Sequence, residues 1–284
     1  MEHLEGRFAG ARNLEIYWQG WTTPLVTRAV VVISHGAGEH GGRYRRFAER
    51  LSAGGYAVYA IDHRGHGRSA GSRALVDRLA NAATDLDRLV DLARGAHPDV
   101  PLILLGHSLG GTIALLYCAN HQSKLDGLIL SGPLVMLDPP PASVAKLAAR
   151  ALSALAPRLP AVAVDPALVS RDAQEVEAYR SDPLVHHGRL PLRTVAEITT
   201  VLPLLANQAA DLQIPLLVAH GSEDRLAPLA GGRLVYERAA SSDKTMNIYD
   251  GFFHEILNEL PEDRERVFAD VMAWLDVHAS YSQA

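Results

Sequence analysis

Six short apolar runs constrain the fold of this chain more than any other feature of its sequence. Each run is rich in valine, isoleucine and leucine, as is typical of a strand covered on both faces. Helix-forming stretches separate most of the runs, which predicts an α/β fold with a mostly parallel sheet. Before them, residues 5–20 carry alternating apolar side chains and a glycine-containing turn, which predicts an antiparallel pair at the start of the sheet. The runs lie at residues 29–34, 56–62, 101–106, 126–131, 214–221 and 244–250.

The alternation of strand and helix breaks in the middle of the chain. A proline-marked segment follows Ser131, and no clear strand appears before Ile214. We therefore expect an α/β core made of residues 1–132 and 210–284, with a helical cap, residues 133–209, over its ligand-binding edge.

Composition excludes several classes of protein. A chain of 284 residues with 48% hydrophobic content can bury one large core. Its net charge of −5 and its scattered arginines give no general attraction to nucleic acid, so we expect no such partner. The single cysteine, Cys118, excludes an intramolecular disulfide, and no apolar run approaches the ~18 residues of a membrane span. We expect a soluble cytoplasmic protein that is at most peripherally attached to a membrane, and its oligomeric state stays open.

Residues 106–110, Gly-His-Ser-Leu-Gly, match the pattern G-x-S-x-G. An apolar run precedes the match and a helix-forming run follows it, which predicts a strained strand-to-helix turn that exposes the Ser108 hydroxyl as a nucleophile. The alternative is a serine that only caps the following helix, and the flanking run and glycines argue against it. We expect the adjacent His107 to pack beside the turn.

A serine nucleophile requires a histidine base and an orienting acid. In this fold class they follow the serine in the order acid then histidine, each after a strand. Asp224 and His254 satisfy both conditions. Taken singly, Asp224 could cap a helix and His254 could be structural, but their order and placement favour a triad. Asp138 is the alternative acid, and we expect His220 to pack at the end of its strand.

The glycine-rich loop at residues 36–41 has two interpretations. With Asp62 after the next run, its G-x-G-x-x-G pattern also suits a dinucleotide-binding loop. That interpretation leaves the triad unexplained and places Glu39 where its charge would oppose a pyrophosphate. We favour an oxyanion hole formed by the backbone N–H groups of Ala37 and Leu109.

Several longer segments occur in one order along the chain: HGAGEHGGRY, DHRGHGRSAG, GHSLGG, YRSDPLVHHG, GSEDRLAP and YDGFFHEILNELP. In these segments the chain resembles the α/β-hydrolase superfamily, and within it the monoacylglycerol lipases of bacterial type. The resemblance implies an α/β-hydrolase fold with a helical lid. It also implies hydrolysis of monoacylglycerols to glycerol and fatty acid through an acyl-enzyme on Ser108. No metal or organic cofactor is expected, and the pair His186–His187 lacks the spacing of a metal site.

The resemblance further implies that Glu39, Arg43 and Tyr179 shape the end of the pocket that receives the glycerol hydroxyls. The alternatives are an ion pair between Glu39 and Arg43 and packing of Tyr179 inside the cap. The chain departs from eukaryotic relatives at Leu257, where they have a second histidine, and at Ala227, where they have a cysteine. These departures put the polar end of the pocket in question, and they predict no thiol-directed inhibition at the acid loop.

One stretch of the cap, residues 143–156, is strongly amphipathic. We favour packing of its apolar face on the hydrolase core. The alternative is contact with lipid, in which Lys146, Arg150 and Arg158 meet anionic headgroups. The apolar face comprises Val144, Leu147, Ala148, Ala151, Leu152 and Leu155.

Two other functions stay open because the serine motif fixes the chemistry and not the acyl chain. One is a broader carboxylesterase or lysophospholipase of the same fold. The other is a ligand receptor on a hydrolase scaffold that turns over slowly.

Overall fold

One eight-stranded sheet forms the centre of the molecule. The computed structural model describes residues 1–140 and 142–279. The sheet has the order β1-β2-β4-β3-β5-β6-β9-β10, in which the pairs β1–β2 and β2–β4 are antiparallel and all other pairs are parallel. This confirms the predicted α/β fold. The strands of the chain are β1 (His3–Ala9), β2 (Glu15–Trp21), β3 (Ala29–Ser34), β4 (Tyr56–Ile61), β5 (Leu102–His107), β6 (Gly127–Ser131), β7 (Pro160–Val162), β8 (Leu190–Pro191), β9 (Leu216–Gly221) and β10 (Lys244–Tyr249).

Helices cover both faces of the sheet. On one face α1 and α8 enclose a buried apolar cluster, and on the other face α2, α3, α7 and part of α6 enclose a second one. The five central strands are buried at every residue, which explains their continuously apolar sequences. The helices are α1 (Arg45–Ala53), α2 (Leu79–Ala96), α3 (Leu109–His121), α4 (Ser143–Leu155), α5 (Ala173–Ser181), α6 (Leu192–Ala210), α7 (Leu229–Arg238) and α8 (Pro261–His278).

The segment between β6 and β9 contains α4, α5, α6 and the short antiparallel pair β7–β8. The expectation of no strand in this segment is wrong. The paired strands are only three and two residues long and contain Pro160 and Pro191, so they carry no strand pattern. Leu205 and Ala209 of α6 belong to the core cluster. The boundaries of the cap therefore stay a prediction, and residue 141 and residues 280–284 lie outside the described residues.

The amphipathic helix α4 turns its apolar face to solvent, which contradicts the favoured packing of this face on the core. Val144 is 80% exposed, Leu147 71% and Leu155 87%. The helix packs against α6 instead and buries Ser153. None of the helices in the described ranges is long and apolar enough to cross a membrane.

Candidate active site

Ser108 lies at the turn between β5 and α3. Its backbone angles are φ 53° and ψ −119°, a left-handed conformation that is rare for a residue with a side chain. The Ser108 N–H donates to the carbonyl of Ser131, 3.1 Å away at the end of the neighbouring strand. The strained turn predicted from the sequence is therefore present.

The glycines of the G-x-S-x-G motif are required by close packing of the backbone. A Cβ atom on Gly110 would lie 1.9 Å from the carbonyl oxygen of Ser34, and one on Gly106 would lie 2.7 Å from that of Gly110. Because neither position admits a side chain, the start of α3 can rest directly on the end of β3. This contact brings the serine turn next to the loop that begins at His35.

His254 and Asp224 meet at the same edge of the sheet. His254 follows β10, Asp224 follows β9, and both are buried. The His254 Nδ1–H donates to Asp224 Oδ2 at 2.7 Å. The other carboxylate oxygen accepts from the backbone N–H groups of Leu226 and Ala227, each at 2.9 Å, so the loop fixes its orientation.

The other candidates behave differently. His220 is buried at the end of β9, and its Nε2 lies 3.1 Å from Asp224 Oδ2 and 2.9 Å from the Ala227 carbonyl. Since both neighbours are acceptors, this nitrogen carries a proton and Asp224 receives a second imidazole donor. Asp138 is exposed, and among the described residues it makes no hydrogen bond or ion pair to His254.

Electrostatics favours an ionised aspartate beside a basic histidine. Burial raises the pKa of Asp224, but the positive charge of His254 and hydrogen bonds from both histidines lower it well below its usual value. Burial lowers the pKa of His254, yet the charge and hydrogen bond of Asp224, with the charges of Glu255 and Glu39, together raise it above its ordinary value. His254 can therefore accept a proton and be stabilised in its charged form.

Ser108 and His254 line one cavity of about 170 Å³, whose walls also include residues of the segment between β6 and β9. Among the described residues no hydrogen bond joins the two side chains, and such bonds are often long before substrate binds. His107 also lines the cavity, and its Nδ1 lies 2.9 Å from the Ser131 carbonyl, so it packs beside the turn. The walls are mostly apolar and include Leu134, Leu137, Val164, Leu190, Ile198 and Leu226.

The loop after β3 and the start of α3 each leave one backbone donor available near the serine. Ala37 lines the cavity and Leu109 follows Ser108, and within the described ranges neither N–H has a hydrogen-bond partner in the protein. By contrast, the Gly36 N–H donates to Glu39 Oε1 at 2.6 Å. An oxyanion hole needs such unpaired donors close together.

The dinucleotide interpretation of this loop has no structural support. The buried Asp62 accepts from the backbone N–H groups of Gly41 and Arg68, each at 2.8 Å, so it ties two loops together. With Gly36 bound to Glu39, two of the N–H groups that would cradle a pyrophosphate are already occupied by carboxylates.

Glu39 and Tyr179 line the cavity, whereas Arg43 lies behind them. Arg43 donates to Glu39 at 2.9 Å, and its guanidinium lies 4.8 Å from the centre of the Tyr179 ring. It also binds both oxygens of Glu255, at 2.5 and 2.7 Å. The ion pair between Glu39 and Arg43 is thus present, and Glu39 also forms part of the cavity wall. Glu255 is not among the residues predicted from the sequence; the signal for it is a charged residue directly after His254 in the mostly apolar stretch 252–257.

Both departures from the eukaryotic pattern are buried. Leu257 is 6% exposed and lies with Glu255 and Tyr44 around a second, much smaller cavity. Ala227 is fully buried, and its N–H holds Asp224. Within the ranges that the structure describes, no group of three or more histidine, cysteine, aspartate or glutamate side chains is placed to hold a metal.

Three buried histidines, His35, His63 and His66, pack against one another at the glycine-rich loop after β3. The rings of His35 and His63 are 4.6 Å apart, and those of His35 and His66 are 5.3 Å apart. Burial lowers the pKa of all three, to about 3 for His63 and about 4 for His66. Repulsion from His66 adds to the effect on both His35 and His63, and repulsion from His186 adds to the effect on His66. All three are therefore neutral at pH 7.

We expect the free energy of unfolding to fall steeply between about pH 6 and about pH 4.5. Unfolded histidines take up protons near pH 6.5 while the folded ones stay neutral, so the unfolded state binds more protons. Each such histidine therefore lowers the free energy of unfolding by about 1.4 kcal/mol for every pH unit below that value. His254 adds no slope here, because a raised pKa contributes fully below pH ~6.5. Urea unfolding across this range measures the slope. A His66→Gln variant should lose one histidine's share, and equal slopes would contradict this account.

A strained serine between strand and helix, with a histidine and an aspartate from later loops beside it, is the arrangement of an α/β-hydrolase. Residues 26–261 match a family model described as serine aminopeptidase, S33. The chain is 42% identical over 274 residues to the monoacylglycerol lipase of Mycolicibacterium smegmatis, with 96% of this chain and 97% of that protein covered.

Two solved structures extend the comparison. The monoacylglycerol lipase of Paleococcus ferrophilus has a TM-score of 0.82 at 29% identity, covering 98% of this chain and 100% of that one. A soluble variant of monoglyceride lipase from Saccharomyces cerevisiae, in complex with a substrate analogue, has a TM-score of 0.85 at 25% identity, covering 97% and 94%. The chain belongs to the monoacylglycerol lipase family of α/β-hydrolases, which confirms the resemblance seen in its motifs.

Proposed function

We propose that this protein hydrolyses monoacylglycerols to glycerol and free fatty acid through a Ser108–His254–Asp224 triad. The observation that carries the proposal is the position of the strained serine and the histidine on one apolar cavity. The names of the similar proteins from Mycolicibacterium smegmatis and Paleococcus ferrophilus, both monoacylglycerol lipases, support the same substrate class.

In the proposed mechanism His254 takes the proton of the Ser108 hydroxyl as its oxygen attacks the ester carbonyl. Asp224 holds the imidazole in the tautomer whose Nε2 faces the serine and stabilises its charged form. The N–H groups of Ala37 and Leu109 bind the developing oxyanion. The C–O bond then breaks, glycerol leaves with the proton from His254, and a water molecule repeats the cycle on the acyl-enzyme.

The two ends of the cavity suit the two ends of a monoacylglycerol. Apolar walls take the acyl chain, and Glu39 and Tyr179 offer polar groups at the other end. Glu39 and Glu255 together carry two carboxylates against the single guanidinium of Arg43, so this end is negative. Hydroxyl groups can donate to carboxylates, whereas a phosphate would be repelled. We therefore assign substrate contacts to Glu39 and Tyr179 and assign to Arg43 the support of both side chains from behind. We expect neutral glycerol heads to be preferred.

The decisive experiment compares initial rates on matched mono-, di- and triacylglycerols, a lysophospholipid and an aminoacyl anilide, each with Ser108→Ala as the blank. We expect a strong preference for the monoacylglycerol that the variant abolishes. Comparable rates on the lysophospholipid would move the function to a broader esterase. Binding without steady turnover on any ester would indicate a receptor.

We also propose that residues 133–209 act as a cap and that α4 rests on lipid. The support is the exposure of Val144, Leu147 and Leu155. Because this apolar face is not buried against the protein, it can gain the favourable free energy of burial by entering a lipid surface. Arg150 on the same helix is also exposed and can meet anionic headgroups.

A triple variant, Val144→Ser/Leu147→Ser/Leu155→Ser, should bind anionic vesicles at least tenfold more weakly, since each residue loses about 1 kcal/mol or more of apolar burial. Vesicle co-sedimentation at low salt measures this. The matched control is Leu25→Ser/Val26→Ser, whose side chains are 58% and 88% exposed but lie outside α4. Equal loss in both variants, or no binding by the unaltered protein, would remove the membrane proposal.

A further inference from the structure

The loop that carries His254 is held on both sides by the segment Val169–Arg171 between β7 and α5. The Glu255 N–H, just after His254, donates to the Val169 carbonyl at 2.8 Å. The Phe253 N–H, just before it, donates to Glu259 Oε1 at 2.7 Å.

Glu259 links the Phe253 N–H to Arg171 of the segment. Its other oxygen, Oε2, accepts from Arg171 Nε at 2.9 Å, and its side chain is completely buried. A buried carboxylate without its cation would be costly, so the two side chains hold each other in place. The carboxylate that orients the Phe253 peptide is therefore itself oriented by an arginine of the segment.

Arg171 is fixed by two further contacts. Its second terminal nitrogen donates to Asp263 Oδ2 at 2.5 Å, and its guanidinium lies 4.5 Å from the centre of the Phe252 ring. Next to it, the Ser170 hydroxyl donates to the Asn258 carbonyl at 2.7 Å. These contacts hold the whole turn from Phe252 to Asn258.

We propose that Arg171 is a positioning residue that acts through Glu259 to hold the His254 loop in its reactive geometry. Arg171 does not line the Ser108 cavity, so it does not touch the acyl chain or the reacting atoms. The proposal rests on the proposed role of His254 as the base. A displacement of about 1 Å in such a base can cost a hundredfold in rate, and a supporting contact prevents it.

The structure offers a matched control for this proposal. Arg46 on α1 pairs with Glu175 on α5 at 2.6 Å, so it also joins the inserted segment to the core. Within the described residues, no hydrogen bond or ion pair joins either side chain to the turn Phe252–Asn258. If the loss of activity came from weaker packing between the inserted segment and the core, both Arg46→Gln and Arg171→Met should show it. If it came from displacement of His254, only Arg171→Met should show it.

The test measures kcat and KM on one monoacylglycerol, and the rate at which a fluorophosphonate labels Ser108. In Arg171→Met we expect kcat and the labelling rate to fall about 10- to 100-fold with KM within about twofold. Arg171→Lys, which keeps a charge for Glu259, should recover most of the loss. Arg46→Gln should match the unaltered protein.

Equal losses in Arg46→Gln and Arg171→Met, or a raised KM with unchanged kcat, would overturn the proposal. If Arg171→Met fails to fold, Glu259→Gln replaces it, because the amide oxygen still accepts from Phe253 but no longer attracts the guanidinium. The same fall in kcat supports positioning, and unchanged kcat overturns it. A His254→Gln variant with full activity would instead refute the proposed function, so the two failures are distinguishable.

Discussion

We expect Ser108→Ala to hydrolyse a monoacylglycerol about a million-fold more slowly than the unaltered protein. The hydroxyl is the proposed nucleophile, and no other group in the account can form the acyl-enzyme. The strained backbone and the packing of Gly110 on β3 do not depend on the hydroxyl, so the variant should keep its fold. Stopped-time assays of fatty acid release, with thermal unfolding as the folding check, measure both effects.

The matched control for this prediction is Ser131→Ala. Ser131 is a buried serine at the end of the neighbouring strand, and its hydroxyl lies 3.3 Å from His107 Nδ1. We expect a change of only a few-fold in kcat. A Ser108→Ala variant that retained near-normal hydrolysis would show that the reaction does not use this residue.

The second large effect is expected in Asp224→Asn, with kcat lower by about ten-thousand-fold. The asparagine keeps the shape of the side chain but presents an NH₂ group where a carboxylate oxygen accepts from both His254 and His220. His254 then loses the partner that fixes its tautomer and stabilises its charged form. Because Asp224 raises the pKa of His254, the acidic limb of the kcat/KM profile should also move to lower pH.

Asp138→Asn is the control that separates the two candidate acids. Asp138 is exposed and has no contact with His254 within the described ranges, so we expect kcat within twofold of the unaltered protein. A large loss in Asp138→Asn together with a small one in Asp224→Asn would reverse the assignment of the acid.

The sheet and the serine turn could be predicted because local sequence controls them. Strands buried on both faces must be apolar throughout, and this is why the predicted runs match β3 to β6 and β9 to within two residues at each end. The turn at Ser108 could be predicted because close backbone contacts admit only glycine at positions 106 and 110. The positions of Asp224 and His254 could also be predicted. Both residues follow parallel strands, and the carboxyl ends of parallel strands lie at the same edge of the sheet.

Contacts between distant segments that no motif marks could not be predicted. Arg171 and Glu259 are 88 residues apart, and no sequence pattern around either residue indicates that the two form an ion pair. The exposed face of α4 is a different failure. An amphipathic sequence shows that one face of a helix is apolar, but it does not show whether protein or lipid covers that face. The prediction that this face packs on the core is therefore wrong.

We expect a single serine, Ser108, to carry out the hydrolysis of monoacylglycerols. The most direct test is to label the protein with a long-chain fluorophosphonate, to locate the adduct by peptide mass spectrometry, and to follow the remaining hydrolysis as labelling proceeds. We predict one adduct per chain, on Ser108, with monoacylglycerol hydrolysis lost in proportion to labelling. An adduct on another residue, or hydrolysis that persists in fully labelled protein, would contradict the account.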